Sequence, residues 1–329
     1  MWRWLTLLAL PLLLWSAYWG AGAYALRHGV ESGLQGQSHG GVTTHYAHAQ
    51  LSGFPTEFAL NMSELELHQA GVFSWRLPEV KLQASSHQPQ NIRLDVAGEQ
   101  QIETALGALK LTADLLEIEV FLRPALSLPL ARAQLRAGGA GLVHDEAGWE
   151  IGLERLLMEL QALDSVEQNN LTLHPYDLDL EAVALDLSRS GLDLPPSHQR
   201  LDSLRADLSL AFSSGWDISV LDQGLPQLEA ILIRDLAMQA GDSELRMTGQ
   251  LAQGPTGFLF GELVVDVENW REVLAVFRDA GYVDPDIADL IVEFLGSQYP
   301  GSQMTLPLSI ENGQIRFGVF TLGVLQSLP

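Results

Sequence analysis

The sequence predicts an α+β, mainly β protein: a long, twisted antiparallel sheet with a few packed helices, after one N-terminal transmembrane helix. Three observations predict this class. Apolar and polar residues alternate in many short runs. Helical spacing is confined to two or three stretches. The start of the chain is apolar and carries no charge between Arg3 and Arg27.

That first stretch, Trp4 to Leu26, has 23 residues, more than the roughly 20 an α-helix needs to cross the hydrocarbon layer. Trp2, Trp4, Trp15, Tyr18, Trp19 and Tyr24 cluster near its ends, where amphipathic rings favour the membrane interface. We expect a signal anchor over residues 1–27. A cleaved signal peptide is the competing reading, because Ala21-Gly22-Ala23 has the small-x-small form of a cleavage site. The apolar length favours the anchor, since cleaved signals have shorter apolar cores. Residues 28–50, rich in Gly, Ser and His, read as a juxtamembrane connector.

From residue 51 to 329 the pattern is an exported, mainly β domain. Phe58, Leu60 and Met62 alternate, and Leu65 and Leu67 follow after a one-residue slip. Leu77, Val80 and Leu82 come next, then Ile92, Leu94 and Val96, then Leu109, Leu111, Ala113 and Leu115, then Ile118, Val120 and Leu122. Later runs include Leu178 and Leu180, Val183 to Leu187, Leu208 to Phe212, Leu245 to Leu251, Leu263 to Val267 and Met304 to Ile310. Period-two spacing gives a sheet one dry and one wet face. Asn312-Gly313, before Ile315 and Phe317, is a hairpin turn signal. Two similar halves are expected, 51–150 and 170–329.

The helices are fewer. Over Asn269–Ala280, Asn269 can cap, Glu272 completes a capping box, and Trp270, Val273, Leu274 and Phe277 share a face. Over Asp284–Leu295, Asp284 caps, Pro285 opens the first turn, and Ile287, Leu290, Ile291 and Phe294 form the stripe. A third helix is expected over Leu153–Asp164.

Composition excludes several functions. The 329 residues hold 18 Lys+Arg against 41 Asp+Glu, a net charge of −23, and no Cys. Without cysteine there is no disulfide, thiolate metal site or cysteine nucleophile. Nucleic acid is not an expected partner, because its binding needs a concentrated basic face.

Short motifs carry little chemistry. Gly36-Gln37-Ser38-His39-Gly40 matches a nucleophile elbow. It lacks the strand before and helix after that would strain the turn, so it reads as connector. His39, His45 and His48 lie close in sequence and could bind a metal only from one helical face. Asp284, Asp286 and Asp289 lack the glycine and glutamate of a calcium loop and suit a helix start. Asp177, Asp179 and Glu181 alternate with leucines as the wet face of a strand. Asn61-Met62-Ser63 and Asn170-Leu171-Thr172 are weak glycosylation acceptors. Trp75, Trp149, Trp216 and Trp270 read as core anchors. No residue is assigned a catalytic, cofactor-binding or metal-binding role, and no cofactor is expected.

The order of features resembles one family. The membrane-type start MWRWLTLLALPLLLWSAYW is followed by Ser52-Gly53-Phe54-Pro55 and a strand. Gly71-Val72-Phe73-Ser74-Trp75, Gln88-Pro89-Gln90-Asn91-Ile92 and a closing Asn312-Gly313-Gln314-Ile315-Arg316-Phe317-Gly318 come after. This is similar to the bacterial domain-of-unknown-function family twenty-one twenty-five. The end differs: a Pro-rich close is expected, and Leu325-Gln326-Ser327-Leu328-Pro329 stands there. The resemblance implies an exported, inner-membrane-anchored protein of Gram-negative bacteria, without known catalytic residues.

Two functions follow. In one, a single-pass inner-membrane protein with its bulk in the periplasm is non-enzymatic and holds lipid or another apolar ligand in a sheet groove. In the other, it is an envelope module that binds another envelope protein. A periplasmic hydrolase using Ser38 is a third and weaker reading. The membrane is expected as a partner through residues 4–26. The strong acidic charge argues against further binding to anionic headgroups, so the helix alone is expected to make that contact.

Overall fold

The structure, a computed structural model, describes residues 15–20, 22, 24, 42–69, 72–104, 107–168, 171–191, 194–220, 224–254, 257–279, 283, 285–318 and 320–324. It is mainly β, with antiparallel pairing and few helices. The chain divides into two compact units. One is Met1–Ala133 with Trp216–Gly224, and the other is Gln134–Gly215 with Leu225–Pro329. The junction between residues 133 and 134 precedes the 147–170 region where the sequence suggests two halves meeting.

The first unit carries β1 (Val42–His45), β2 (His48–Ser52), β3 (Glu57–Gln69), β4 (Phe73–Ser85), β5 (Gln88–Ala97), β6 (Gln100–Thr104), β7 (Gly107–Thr112) and β8 (Leu115–Leu122). β3 is central. β1 and β2 pair with its two ends, and β4 pairs along its length. Phe58, Leu60, Met62 and Leu65 are buried. The slip between Met62 and Leu65 is real: Glu64 takes a left-handed conformation, φ 52°. That left-handed residue returns Leu65 to the dry face while the β3–β4 register is kept, Ser63 facing Glu79 and Leu65 facing Leu77. The 109–115 run is two strands, because residues 113 and 114 turn the chain between β7 and β8. Residues 42–45 and 48–52 are strands, so the connector expected over 28–50 does not extend through its last residues.

The membrane-crossing helix expected over residues 4–26 is not part of the described fold. Residues 4–14 lie outside the described residues. Among the described residues no helix is long and apolar enough to cross a membrane. Residues 15–20 are helical, and their side chains bond to the first unit. The Trp15 indole donates to the Pro55 carbonyl at 2.9 Å, Tyr18 Oη to Ser86 O at 2.8 Å, and Trp19 Nε1 to Glu57 O at 2.9 Å.

β9 (Leu130–His144) contains the junction. The second unit continues with β10 (Trp149–Ala162), β11 (Val166–Gln168), β12 (Leu171–Arg189), β13 (Arg200–Phe212), β14 (Leu228–Ala240), β15 (Ser243–Gln253) and β16 (Leu259–Glu268). Then come α1 (Trp270–Asp279), α2 (Pro285–Gln298), β17 (Gln303–Glu311), β18 (Gln314–Phe317) and β19 (Phe320–Val324). From β12 to β19 each strand pairs antiparallel with the next.

The helix expected over Leu153–Asp164 is strand β10, paired with β12 from Leu153↔Leu185 to Ala162↔Tyr176. The long ladder overrides a helix-forming composition. α1 and α2 stand where the sequence places them, but the start of α1 differs. Asn269 is left-handed, φ 55°. Its backbone carbonyl accepts from the Glu272 and Val273 amides at 2.9 and 3.2 Å. Its Nδ2 donates to Asp242 O at 2.6 Å instead of its side chain capping the helix. Asp284, expected to cap α2, lies outside the described residues. Asn312 and Gly313 both have positive φ, 51° and 78°, as the tight β17–β18 turn requires.

Candidate functional site

The site begins with strand register. Leu245 of β15 faces Val267 of β16, which faces Met304 of β17. Two residues along, Met247, Val265 and Leu306 align in the same way. These rows make an apolar sheet face two residues deep and three strands wide.

Two helices cover this face in part. The α1 stripe brings Trp270, Val273, Leu274 and Phe277, and α2 brings Ile291, Phe294 and Leu295. Trp270 is 1% exposed and packs with Val265, Val267, Leu295 and Met304. Its indole donates to Gly301 O at 3.2 Å. Arg271 lies over the Trp270 ring at 4.2 Å and donates to Gly301 O and Tyr299 O at 2.8 and 3.2 Å. The start of α1 is thereby tied to the segment leaving α2.

Between helices and sheet lies a cleft of about 390 Å³. Apart from Thr321, every lining side chain is apolar or aromatic. Phe277 and Phe294 line it and remain 40% and 52% exposed, so the lining reaches the surface. Among the described residues no titratable group lines the cleft. These residues can bind by desolvation and shape, and none of them is an acid or base.

A second feature is polar. Glu159 of β10, Asp179 of β12, Asp207 of β13 and Asp235 of β14 stand directly opposite one another, strand to strand. They line a surface groove of about 510 Å³. Opposed like charges are destabilising, and neighbours offset them. Arg234 Nε donates to Asp207 at 2.7 Å and Nη1 to Asp177 at 2.9 Å. Gln134 Nε2 donates to Glu159 at 2.6 Å, and Arg246 lies 3.5 Å from Asp235. The Asp179 carboxyl is pushed above its usual value, first by lost hydration and then by the Asp207 charge, with Arg234 opposing. The Arg234 guanidinium is raised by its bonds to Asp207 and Asp177.

The other sequence candidates are dispersed. Ser38, His39 and Asn170 lie outside the described residues. His45 and His48 are exposed on separate strands, β1 and β2, and do not share a helical face. Among the described residues no group of three His, Asp or Glu is placed to hold a metal. Asp286 and Asp289 are exposed on α2. Asp177, Asp179 and Glu181 sit on the groove face, Glu181 3.8 Å from Arg155. Asn61 is exposed within β3. Of the four tryptophans expected in cores, Trp270 is fully buried, whereas Trp75, Trp149 and Trp216 are half-buried. Sequence reading identified both helix stripes but not the cleft, whose sheet rows depend on register. It also missed β14, where Ile231, Leu232 and Ile233 run consecutively, and the Ala- and Gly-rich β9.

The fold and cleft thus define a mainly β protein with a helix-covered apolar pocket. The chain belongs to the bacterial family described as an uncharacterized protein conserved in bacteria (DUF2125), whose family model matches residues 19–326. No curated protein and no solved structure matches it.

Proposed function

We propose that this protein is a membrane-tethered, non-enzymatic envelope protein that holds an acyl chain in the cleft under α1 and α2. The apolar cleft carries the reading. Its volume, about 390 Å³, falls within the roughly 300–1,000 Å³ range of ligand pockets. A chain of about ten methylenes gains on the order of 8 kcal/mol on burial. That exceeds the lower end of the association cost, roughly 4 kcal/mol. A lipid tail fits a site whose described lining carries no charge to desolvate. The uncharged stretch 4–26 supports a tether to the inner membrane, with the bulk of the chain in the periplasm.

Native mass spectrometry with lipid extraction, on chain purified after export, tests the ligand. Bound lipid at fixed stoichiometry is expected. Leu274→Trp, which fills the cleft from α1, should lose it while keeping the strand circular dichroism. Lipid-free wild-type protein, or undiminished lipid in Leu274→Trp, overturns the reading.

A further inference from the structure

The end of the first unit nearest residues 15–24 has an unusual surface. Gly53 lies at φ 98°, with the Glu57 backbone carbonyl 2.8 Å from where a Cβ would stand. Its own carbonyl accepts from the Thr56 and Glu57 amides at 3.2 and 2.9 Å. This tight turn between β2 and β3 presents Phe54, which remains 55% exposed. Phe54 meets Trp19 edge to face, with centroids 5.2 Å apart, and Trp19 stacks on the buried Phe58 at 5.6 Å. Trp15 and Tyr18, whose rings are 5.6 Å apart, are 38% and 45% exposed beside the same turn, and Tyr24, five residues after Trp19, is 71% exposed.

The polar atoms of this group are turned to the protein. Trp15, Tyr18 and Trp19 each donate to a backbone carbonyl of the turn or of Ser86. Their donors are satisfied while much ring surface stays outside. Rings with an anchored polar end and an exposed apolar body suit the boundary between headgroups and hydrocarbon. The group is also continuous in sequence with residues 4–14, which carry no charge.

We propose that the β2–β3 turn at Phe54 rests in the interfacial layer of a lipid bilayer, so that the sheet itself touches the membrane beside the tether. The inference rests on the tether of the proposed function and not on the cleft. The occupant is a lipid surface and not a protein, because an uncharged apolar stretch leads directly into the patch. Neutral rings make the contact, so it needs no anionic lipid. It departs from the expectation that the helix alone touches the membrane.

The absence of cysteine permits a direct test. Single Phe54→Cys and Val72→Cys variants of the full chain are labelled with an environment-sensitive fluorophore. Both are reconstituted in phosphatidylcholine vesicles. Val72 is 54% exposed, much as Phe54 is, but sits beyond the other end of β3, about 40 Å away. A Tyr24→Cys label guards against local damage from replacing Phe54. At positions 54 and 24 we expect blue-shifted emission, quenching by lipid-borne nitroxide, and several-fold weaker quenching by iodide than at 72. Vesicle-bound protein whose label at 54 behaves like that at 72 overturns this inference and leaves the tether standing. A blue shift at 54 without nitroxide quenching means a protein contact and also overturns it. Failure of the chain to float with vesicles defeats both the inference and the tether. The cleft is read separately by its bound lipid.

Discussion

Gly249 of β15 and Gly261 of β16 form a diagonal pair across one ladder, each opposite a leucine two residues from the other: Gly249 faces Leu263, and Leu251 faces Gly261. Both have φ near +150°, 149° and 151°. A Cβ on Gly249 would stand 2.2 Å from Glu262 O, and one on Gly261 would stand 2.0 Å from Gln250 O. Only glycine lets the two backbones approach this closely. The pair lies beside the buried cluster of Ile233, Leu251, Leu259, Leu263 and Ile310, on the strands whose next residues form the cleft. Gly249→Ala and Gly261→Ala are each expected to cost roughly 2–4 kcal/mol through strain and displaced backbone. Thermal unfolding followed by strand circular dichroism checks this. An unchanged melting temperature would contradict it.

Trp270→Ala should cost roughly 3–5 kcal/mol, the usual range for deleting a buried aromatic side chain. It also removes one of the two side-chain bonds from α1 to Gly301, leaving that of Arg271. Protease digestion should then cut between residues 268 and 302 before it reaches the sheet. Loss of sheet signal with the helices still protected would refute this order.

Arg234 connects two carboxylates on β12 and β13. It is about a third exposed, so each contact alone is modest, but together they offset repulsion along the row. Arg234→Met should lower stability by about 1–2 kcal/mol at low salt. The loss should shrink in high salt, where repulsion among the remaining carboxylates is screened. Urea unfolding at two ionic strengths measures both, and an equal loss at each would count against the electrostatic account.

Asp179 gives a pH dependence with a defined sign. Its folded-state carboxyl titrates above the usual value of 3.8. The folded state therefore holds a proton that the unfolded chain has released, and stability falls as pH rises through this window. Above the folded pKa the full cost is present, and below 3.8 it is absent. Asp179→Asn should stabilise the protein at pH 7, with a gain that fades toward pH 3. A gain that grew on acidification would reverse the sign.

What the sequence reveals depends on how far each signal is local. The slip after Met62 needs one left-handed residue, and Glu64 supplies it. The Asn312-Gly313 turn is local in the same sense. β10 is hidden because Leu156, Leu157 and Met158 are consecutive and apolar, although Leu156 and Met158 are half-buried and Leu157 between them is exposed. Its strand state comes from pairing with β12, far along the chain. The cleft divides similarly. The stripe from Trp270 to Phe277 is visible in the spacing, but the rows beneath it exist only once β15, β16 and β17 are in register. The carboxylate row was even less visible: Asp207 and Asp235 attract no notice until the ladder sets them beside Asp179.

That row has a consequence for behaviour at high concentration. Strands about 4.8 Å apart make it a line of four acidic side chains roughly 15 Å long. A second copy laid face to face would bring a matching line to a distance of about 10 Å, the spacing of stacked sheets. Arg234 is already engaged with Asp177 and Asp207. Self-association that set two such rows against each other would therefore work against their charge.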